Sequence, residues 1–427
     1  MMETFLNPPR EQWGALSRRP SDENPVVRAR VEAILQRVRE QGDDALRALA
    51  LEIEGRPLEA LEVTAAEKAE AAARVSDALR RALAAAQANI RAFHEAQRPR
   101  EIRVETAPGV VCIQRPVPIG KVGLYIPGGT APLFSTVLML AVPAAIAGCP
   151  EVVLCTPAGP DGKVNPEVLY AATCCGVKRI FKVGGAQAVA AMAYGTQSIP
   201  KVDKIFGPGN QYVTTAKQLL SAGTVAIDMP AGPSEVMVIA DSGSDPAFVA
   251  ADLLSQAEHG PDSQVMLVCS DAATAAAVQA EVVRQAAALP RAAFAQQALD
   301  KSRCVVLPDE EDVIAFADAY APEHLILSTR EPWRIADRVT AAGSVFVGPW
   351  TPESAGDYAS GTNHTLPTSG WARSFSGVNL DSFYRKMTLQ EISREGLQGL
   401  AGTIVTMAEA EGLQAHANAV KIRLQDE

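Results

Sequence analysis

The feature that most constrains the fold of this chain is a regular alternation of short apolar segments and helix-forming segments, which begins near residue 120. Short apolar segments fit buried strands, and the longer segments between them have helical patterns. Strands joined by helices pair in parallel, so the alternation predicts an α/β fold with two tandem, Rossmann-like but incomplete parallel-sheet domains. The predicted strands are 121–126, 151–156, 179–183, 201–206 and 225–227 in the first unit, and 235–240, 264–269, 304–307, 324–327 and 344–347 in the second.

The rest of the chain is predicted to be mainly helical. One helix should run from the Asn24-Pro25 cap to Gly42, a second from 64 to 98, and a last one over 397–415. We therefore expect four parts. They are a helical N-terminal region (1–120) that packs on the second α/β unit, a first α/β domain (121–232), a second α/β domain (233–375) and a helical C-terminal extension (376–427).

The composition excludes several classes of protein. The 427 residues include 39 Lys and Arg against 49 Asp and Glu, a formal net charge of −10, which argues against a nucleic-acid partner. An uncharged stretch covers 122–150, but it contains four prolines. Its longest run without a polar residue, 137–149, is too short to cross a bilayer, so we expect no membrane partner either.

The cysteines indicate the compartment. There are seven, an odd number, without a Cys-x-x-Cys pair, and several lie in apolar segments where a reduced cysteine packs as a small core residue. The first residues lack the basic and apolar segments of a signal peptide. A reducing cytoplasm is the expected location.

Three glycine-rich turns follow predicted strands of the first unit, at 126–130, 183–187 and 206–210. Such turns let a ligand approach the backbone and expose helix-start N–H groups to an anion such as a pyrophosphate. None matches the dinucleotide fingerprint, because Tyr212 stands where its third glycine belongs, and a plain strand-to-helix turn is the alternative. Three of them in one unit favour a nucleotide site at the carboxyl ends of the strands.

Gln256 and His259 lie near the end of a predicted helix, three residues apart, so both side chains project from one face. This spacing is compatible with a metal site, but it lacks the stronger His-Glu-x-x-His pattern. A histidine before Gly260 is also an ordinary helix C-terminus, where an imidazole interacts favourably with the helix dipole. Both interpretations stay open at this point.

Glu323 and His324 stand at the entry of a predicted strand. Histidine transfers protons near neutral pH, and a neighbouring carboxylate can orient a water molecule, so the pair is a candidate acid–base site. The alternative is a helix-to-strand corner with exposed polar residues. A later loop, 354–367, contains Asp357 and His364, and loops held by a rigid scaffold often carry functional groups.

The last candidates are Glu411 and His416, which lie five residues apart at the end of the final predicted helix. They share a helical face only if the helix loosens at Gly412. A terminal segment of this kind could reach a neighbouring subunit.

Together these motifs resemble the bacterial histidinol dehydrogenases, from about residue 25 to the C-terminus and in the order of that family. The motifs that carry the resemblance are Tyr125-Ile-Pro-Gly-Gly, Gly185-Ala-Gln187, Gly207-Pro-Gly-Asn210, Ala231-Gly-Pro-Ser234-Glu, Ser255-Gln256-Ala-Glu-His259-Gly-Pro-Asp, Ala321-Pro-Glu323-His324, Gly356-Asp357-Tyr and Gly361-Thr-Asn-His364. They are long, and the sequence does not depart from the family at the positions that the family uses.

The resemblance implies a zinc- and NAD-dependent, four-electron oxidation of L-histidinol to L-histidine through bound L-histidinal, the last steps of histidine biosynthesis. It implies that the first α/β domain binds NAD, that the second holds zinc and substrate, and that the C-terminal extension reaches the partner in a homodimer. One zinc per subunit is expected. The implied residues are Gln256, His259, Asp357 and, from the other subunit, His416 as zinc ligands; His324 as general base and Glu323 as activator of water; Ser234, Gln256, His259, His324, Asp357, His364, Glu411 and His416 around the substrate; and Tyr125, Gln187 and Asn210 against NAD.

Four alternatives remain at the level of sequence. A related zinc- and NAD-dependent dehydrogenase could act on another polar alcohol, although Glu411, His416 and His364 are all present. A metal hydrolase would use the zinc ligands to position water, and a zinc-binding scaffold would do no chemistry. A cysteine route is disfavoured because neither Cys112 nor Cys149 has a His or Asp neighbour in sequence that would activate a thiolate.

Overall fold

The fold was analysed in a computed structural model that describes residues 2–19, 25–55, 57–128 and 132–425. The strands are β1 (Glu3–Leu6), β2 (Ile102–Ala107), β3 (Val110–Pro118), β4 (Lys121–Tyr125), β5 (Glu151–Cys155), β6 (Arg179–Phe181), β7 (Lys204–Phe206), β8 (Ala226–Ile227), β9 (Glu235–Ala240), β10 (Gln264–Cys269), β11 (Arg303–Val306), β12 (His324–Ser328), β13 (Ser344–Val347) and β14 (Tyr384–Ile392).

The helices alternate with these strands through most of the chain. They are α1 (Arg10–Leu16), α2 (Pro25–Gln41), α3 (Asp43–Glu54), α4 (Ala65–Arg74), α5 (Asp77–Glu95), α6 (Phe134–Ala147), α7 (Pro166–Cys174), α8 (Gly185–Tyr194), α9 (Gln211–Ser221), α10 (Pro246–Ala257), α11 (Ala272–Ala286), α12 (Ala292–Leu299), α13 (Glu310–Tyr320), α14 (Pro332–Ala336), α15 (Glu353–Tyr358), α16 (Arg394–Ala410) and α17 (Gln414–Lys421). Asn24, the predicted cap of α2, lies outside the described residues.

The first unit is a five-stranded parallel sheet in the order β6-β5-β4-β7-β8. Apolar side chains from α6 and α7 cover one face of the sheet, and those from α8 and α9 cover the other. Each of the five predicted strands is present, although the first three end earlier than predicted and β7 and β8 begin later than predicted. The parallel α/β prediction is confirmed for this unit.

The second unit is a six-stranded parallel sheet in the order β1-β11-β10-β9-β12-β13. Its central strands β9, β10 and β12 are buried along their whole length. The five predicted strands are again present. The sixth, β1, comes from the start of the chain and pairs with β11 at the edge, which the sequence analysis did not predict.

The N-terminal helices correct one expectation, because they pack on the first unit rather than the second. Helix α2 lies on α8 and α9, α4 lies on α7, and α5 lies on α6. The physical reason is the apolar stripe of α2, whose Val31 and Leu35 share a core with the outer face of the first sheet. Residues 2–19 are different, since β1 and α1 join the second unit.

The predicted helix 64–98 is two helices. Thr64 forms a capping box with Glu67 at the start of α4, and Ser76 caps α5 by accepting from the backbone N–H of Leu79. Helices α4 and α5 therefore begin with their own caps, and extended Val75 separates them.

A third sheet was not predicted. Strands β14, β3 and β2 form an antiparallel sheet, so neither the N-terminal region nor the C-terminal extension is purely helical. Strands β2 and β14 are largely exposed on both faces. Their mixed polar and apolar sequence therefore lacks the continuous apolar run that identified the buried strands.

The long uncharged stretch of the sequence is explained by α6. Every residue of this helix from 135 to 147 except one is buried in the core of the first unit, and Pro143 lies within it. Among the described residues, no helix combines the length and the apolar character that a membrane span requires.

Candidate active site between the two α/β units

A cavity of about 290 Å³ lies between the two units. The first unit contributes its strand-to-helix turns and the start of α6, and the second contributes polar and ionisable side chains. The cavity-lining residues from the predicted site are Asn210, Ser234, Gln256, His259, Glu323, His324, Asp357 and His364.

The second sheet presents the amino ends of its strands to this cavity. Strand β9 begins at Glu235 and β12 begins at His324, and the two strands are neighbours. Helix α10 follows β9 and runs back along the sheet, so its C-terminus brings Gln256 and His259 to the same edge. Residues far apart in sequence therefore meet at one edge of the sheet.

His324 is held as a neutral base. Its Nδ1 lies 3.2 Å from the carbonyl oxygen of Glu235. A carbonyl can only accept, so Nδ1 carries the proton and Nε2 keeps its lone pair. Nε2 has no hydrogen-bond partner among the described residues and lies 3.8 Å from Oδ1 of Asp357. Burial lowers the pKa of His324 to about 4, which keeps the ring neutral at physiological pH.

Glu323 is a buried carboxyl group beside this base. Its Oε2 accepts a hydrogen bond of 2.9 Å from the backbone N–H of Glu235. Burial raises its pKa well above the ordinary range, and the negative charges of Glu235 and Asp357 raise it further. The backbone is tightly packed here, since a Cβ on Gly343 would lie 2.5 Å from the carbonyl oxygen of Glu323.

Gln256, His259 and Asp357 form a candidate metal centre. Gln256 is fully buried, and neither its amide oxygen nor its amide nitrogen has a hydrogen-bond partner among the described residues. An unpaired buried amide is costly, so a ligand at this position would satisfy it. One ligand atom of His259 and one of Asp357 lie within 4.8 Å of each other, which is compatible with a shared ion.

Glu353 belongs to the same cluster and was missed by the sequence analysis. Its carboxylate lies within 4.8 Å of the ligand atoms of His259 and Asp357, is buried, and has no hydrogen-bond partner among the described residues. Burial and the charges of Asp357, Glu323 and Asp252 raise its pKa well above the ordinary range. The available signal was its spacing, since Glu353 and Asp357 are i and i+4 on α15.

His364 connects the two units. Its Nδ1 donates to the carbonyl oxygen of Asp357 at 2.9 Å, so its Nε2 accepts from the hydroxyl of Thr136 on α6 at 3.2 Å. The neighbouring Asn363 donates to the carbonyl oxygen of Met139 on the same helix. This loop therefore places His364 in the cavity, in contact with α6 of the first unit. Ser234 also lines the cavity.

The three residues expected to contact NAD lie near the turns of the first unit. The hydroxyl of Tyr125 accepts from the backbone N–H of Gly185 at 3.1 Å, and Gln187 is buried on α8. Oδ1 of Asn210 accepts from the backbone N–H groups at the start of α9, so this side chain is a helix cap. Gly129 and Thr130 of the first turn lie outside the described residues.

One glycine of these turns is required by close packing. Gly207 has a φ of +125°, and a Cβ there would lie 2.1 Å from the carbonyl oxygen of Tyr125. The turns that follow β4 and β7 therefore touch through backbone atoms.

The structure does not bring Glu411 and His416 into the cavity of their own chain, since neither lines it. Gly412, with a φ of +74°, separates α16 from α17, and both side chains are exposed. The helix is therefore interrupted at Gly412, which is the condition under which Glu411 and His416 could lie on the same side.

Fold and site together define an α/β enzyme with a buried neutral base and a carboxylate cluster between two parallel-sheet units. A family model described as histidinol dehydrogenase matches residues 17–424, which is nearly the whole chain. The chain belongs to the histidinol dehydrogenase family and is an oxidoreductase of histidine biosynthesis.

Individual relatives agree with this assignment. The chain is 54% identical to the histidinol dehydrogenase of Bacteroides thetaiotaomicron over 424 residues, which cover 99% of each protein. It is 54% identical to that of Yersinia pestis over 417 residues, covering 97% of this chain and 93% of the relative.

Solved structures show the same fold. The crystal structure of histidinol dehydrogenase from Elizabethkingia anophelis matches with a TM-score of 0.95 and 49% identity, covering 99% of this chain and 98% of the other. An NAD-dependent aldehyde dehydrogenase from Sinorhizobium meliloti matches with a TM-score of 0.52 and 14% identity, over 90% and 86% of the two chains. The second match shows a related fold only.

Proposed function

We propose that the chain oxidises L-histidinol to L-histidine through bound L-histidinal, with four electrons passing to two molecules of NAD. The observation that carries this proposal is a neutral imidazole, His324, next to a buried carboxyl group, Glu323. Both side chains are hydrogen-bonded to the backbone of Glu235. An alcohol oxidation needs a base, and oxidation of the aldehyde needs a water molecule at the same carbon.

The charge of the cavity supports a cationic substrate. Asp357 and Glu323 line it, Glu353 is buried against Asp357, and no Lys or Arg is among the described lining residues. L-histidinol carries an ammonium group and an imidazole, and the ammonium group is the kind of cation that such a lining favours. Ser234, His364 and, from the partner subunit, Glu411 are proposed to complete the substrate contacts.

In the first oxidation, Nε2 of His324 accepts the proton of the substrate hydroxyl while the carbon loses a hydride. The hydrogen bond from Nδ1 to the carbonyl oxygen of Glu235 keeps the lone pair of Nε2 directed at the cavity. The products of this step are a protonated His324 and bound L-histidinal.

In the second oxidation, the ionised form of Glu323 accepts a proton from water as the oxygen of that water attacks the aldehyde carbon. The raised pKa of Glu323 makes this carboxylate a stronger base than an ordinary glutamate. The protonated His324 returns its proton to the aldehyde oxygen, so the product is a neutral hydrate and His324 is a base again. The hydrate is an alcohol, and Nε2 of His324 accepts its hydroxyl proton while the second hydride leaves. Water supplies the second oxygen of the carboxylate, and the two oxidations release four electrons in all. NAD, when bound, supplies the hydride acceptor for each oxidation.

The proposed zinc ligands are Gln256, His259 and Asp357 of one subunit and His416 of the partner subunit, with one zinc per subunit. The orphaned amide of Gln256 and the close approach of His259 to Asp357 support this set. Zinc, when bound, would act as a Lewis acid that holds the imidazole and amino nitrogens of the substrate. A mixed nitrogen and oxygen donor set suits zinc, although Gln is an uncommon ligand for it.

We place NAD on the turns of the first unit, where Tyr125, Gln187 and Asn210 would contact it. Helices α8 and α9 begin at these turns, and helix N-termini favour the negative charge of a pyrophosphate. The proposed location is the cytoplasm, since all seven cysteines are free thiols, as a reducing compartment requires.

The proposed assembly is a homodimer in which each C-terminal extension completes the site of the other subunit. Glu411 and His416 are exposed and outside their own cavity. Apolar side chains on the same extension, including Met407, Leu413 and Ile422, are exposed as well and would be covered by a partner.

The shared site has a direct test. Subunits with His324→Ala and subunits with His416→Ala should each be inactive, whereas a mixture refolded together should recover up to about a quarter of the wild-type activity. The recovered activity comes from heterodimers in which one site receives both intact residues. If the mixture stays inactive while heterodimers form, the exchange of His416 between subunits is wrong.

The reaction is tested by its stoichiometry. Purified protein given a limiting amount of L-histidinol should form two NADH for each molecule consumed, and chelation of zinc should abolish turnover. One NADH with accumulation of the aldehyde would contradict the four-electron reaction. Faster turnover of another polar amino alcohol would instead favour a related dehydrogenase.

A further inference from the structure

The side chains of Glu323 and His324 are both hydrogen-bonded to the backbone of Glu235. Its N–H donates to the Glu323 carboxylate at 2.9 Å, and its carbonyl accepts from Nδ1 of His324 at 3.2 Å. Other acceptors lie farther from this Nδ1, with Glu323 at 3.6 Å and Glu353 at 4.0 Å. A displacement of this backbone residue would therefore move the carboxyl group and the imidazole together.

The side chain of Glu235 is held by an arginine from the start of the chain. Nε of Arg19 donates to Oε2 at 2.8 Å and Nη2 donates to Oε1 at 2.9 Å, which is a bidentate pair. The backbone N–H of Ser369 also donates to Oε1, at 3.1 Å. The side chain of Glu235 is 1% exposed and that of Arg19 is 10% exposed, so this pair is shielded from water.

Arg19 also binds the segment that leads into Glu323. Nη2 donates to the carbonyl oxygen of Tyr320 at 2.7 Å, and the guanidinium lies 3.7 Å from the centre of the Tyr320 ring. The chain then passes through Ala321, which has the unusual φ of +51°, before it reaches Glu323. One guanidinium therefore joins the start of β9 to the turn before β12.

The N-terminal segment could be attached to the second unit without a buried arginine. The same segment has such an attachment in Arg10, which pairs with Asp312 at the protein surface, and neither residue lines the cavity. A buried charge pair is costly unless its geometry is good, whereas an exposed pair is cheap. The buried position of Arg19 fits a role in holding the two backbone segments that carry the site, one at the start of β9 and one before β12.

We propose that Arg19 and Glu235 are positioning residues that align the Glu323 carboxyl group and the His324 imidazole on one reacting carbon. This proposal rests on the proposed function, because it assigns the pair to that reaction. Arg19 acts through Glu235 and through the turn at Tyr320, and neither Arg19 nor the Glu235 side chain lines the cavity.

The test compares Arg19→Met and Arg19→Lys with the matched control Arg10→Met. For each protein, kcat and KM are measured separately for L-histidinol and for L-histidinal, together with zinc content and Tm. We expect Arg19→Met to lower kcat about tenfold or more in both oxidations, with zinc content and the two KM values nearly unchanged. Arg19→Lys should recover only part of kcat, because lysine lacks the planar fork.

The control separates positioning from stability. Arg10→Met should keep wild-type kcat even if its Tm falls. If Arg19→Met lowers Tm but leaves kcat as high as Arg10→Met does, Arg19 is a structural tie and the proposal is wrong. If Arg19→Met does not fold, Arg19→Lys decides, since a kcat equal to that of the wild type would overturn the positioning role.

A double-mutant cycle tests whether Arg19 acts through Glu235. Because the two residues form one unit, the combination of Arg19→Met with Glu235→Gln should lower kcat no more than the more severe single substitution. Losses of kcat that multiply would show that the residues act independently and would overturn the coupling. Failure of the proposed function would look different, because the unsubstituted protein itself would then not oxidise L-histidinol.

Discussion

The two α/β units face the cavity with opposite ends of their sheets. The first unit presents the carboxyl ends of its strands and the N-termini of α8 and α9, and no ionisable side chain from it lines the cavity among the described residues. The second unit presents the amino ends of β9 and β12 and the C-terminus of α10, together with acids and imidazoles.

This difference matches two ligands of opposite charge. Helix N-termini carry partial positive charge and suit the pyrophosphate of a dinucleotide, whereas helix C-termini carry partial negative charge and suit a cation. In open α/β sheets ligands usually bind at the carboxyl ends of strands, and the second unit departs from that rule. The helix N-termini of the first unit therefore suit the proposed cofactor, and the ionisable side chains of the second unit suit the proposed chemistry.

The largest expected effect is a loss of kcat, and it should come from substitutions in the second unit. His324→Ala should lower kcat by about 10²–10⁴-fold in both oxidations, because the base is lost, while NAD affinity stays the same. Glu323→Gln should spare the first oxidation and slow the second, so that L-histidinal is released. Single-turnover NADH formation distinguishes them, and equal loss of both steps in Glu323→Gln would contradict the assigned roles.

The next effect concerns the carboxylate cluster of the second unit. Glu353→Gln should weaken zinc retention by about 10–100-fold, because a charge near the proposed ligands is removed. The same substitution should raise the Tm of the zinc-free protein at pH 8, since the raised pKa of Glu353 means that its carboxyl group must take up a proton on folding at that pH. Glu258→Gln, beside His259 but outside the cluster, is the control. Unchanged zinc content by mass spectrometry in Glu353→Gln would exclude Glu353 from the metal centre.

A smaller effect should be confined to the first unit. Gly207→Ala forces a Cβ against the carbonyl oxygen of Tyr125, and the strain should lower the free energy of unfolding by about 1–3 kcal/mol and weaken NAD binding. Gly148→Ala is the control, because Gly148 also has a positive φ but has no neighbouring atom within 4 Å of the added Cβ. Zinc content should be normal in both variants, and equal NAD affinity in the two would show that the contact with Tyr125 does not matter.

The smallest effect is a pH dependence that belongs to the second unit. Since burial lowers the pKa of His324 to about 4 from 6.5, the unfolded chain binds its proton first, and stability falls as pH falls through this window. Relative to His324→Asn, the zinc-free protein should lose up to about 1.4 kcal/mol of unfolding free energy between pH 6 and pH 5. Urea unfolding at both pH values measures this loss, and a constant difference between the proteins would contradict a buried neutral imidazole.

The sequence predicted the two parallel sheets because their strands are continuous apolar runs separated by helices. It missed the third sheet, since β2 and β14 are exposed strands with mixed polar and apolar residues and β3 between them is mostly half-buried, so none has that signal. It missed β1 because pairing with β11 depends on a contact between Glu3 and Arg303, which are remote in sequence. Local patterns do not record such contacts.

The candidate site shows the same limit. Motifs identified Gln256, His259, His324 and Asp357, and the structure brings these four to one cavity. Glu353 gave no motif of its own, since its importance comes from burial without a hydrogen-bond partner. The role of Arg19 depends on the packing of the first residues against a strand more than two hundred positions away, which spacing alone does not reveal.

The position of β1 has a consequence for synthesis of the chain. Residues 3–6 are synthesised about 300 residues before their partner strand β11. Until β11 is made, the N-terminal segment has no strand to pair with. Once β11 has formed, its edge stays unpaired until β1 docks on it. A fusion partner at the N-terminus would hinder this late docking, and it would do so at the segment that carries Arg19.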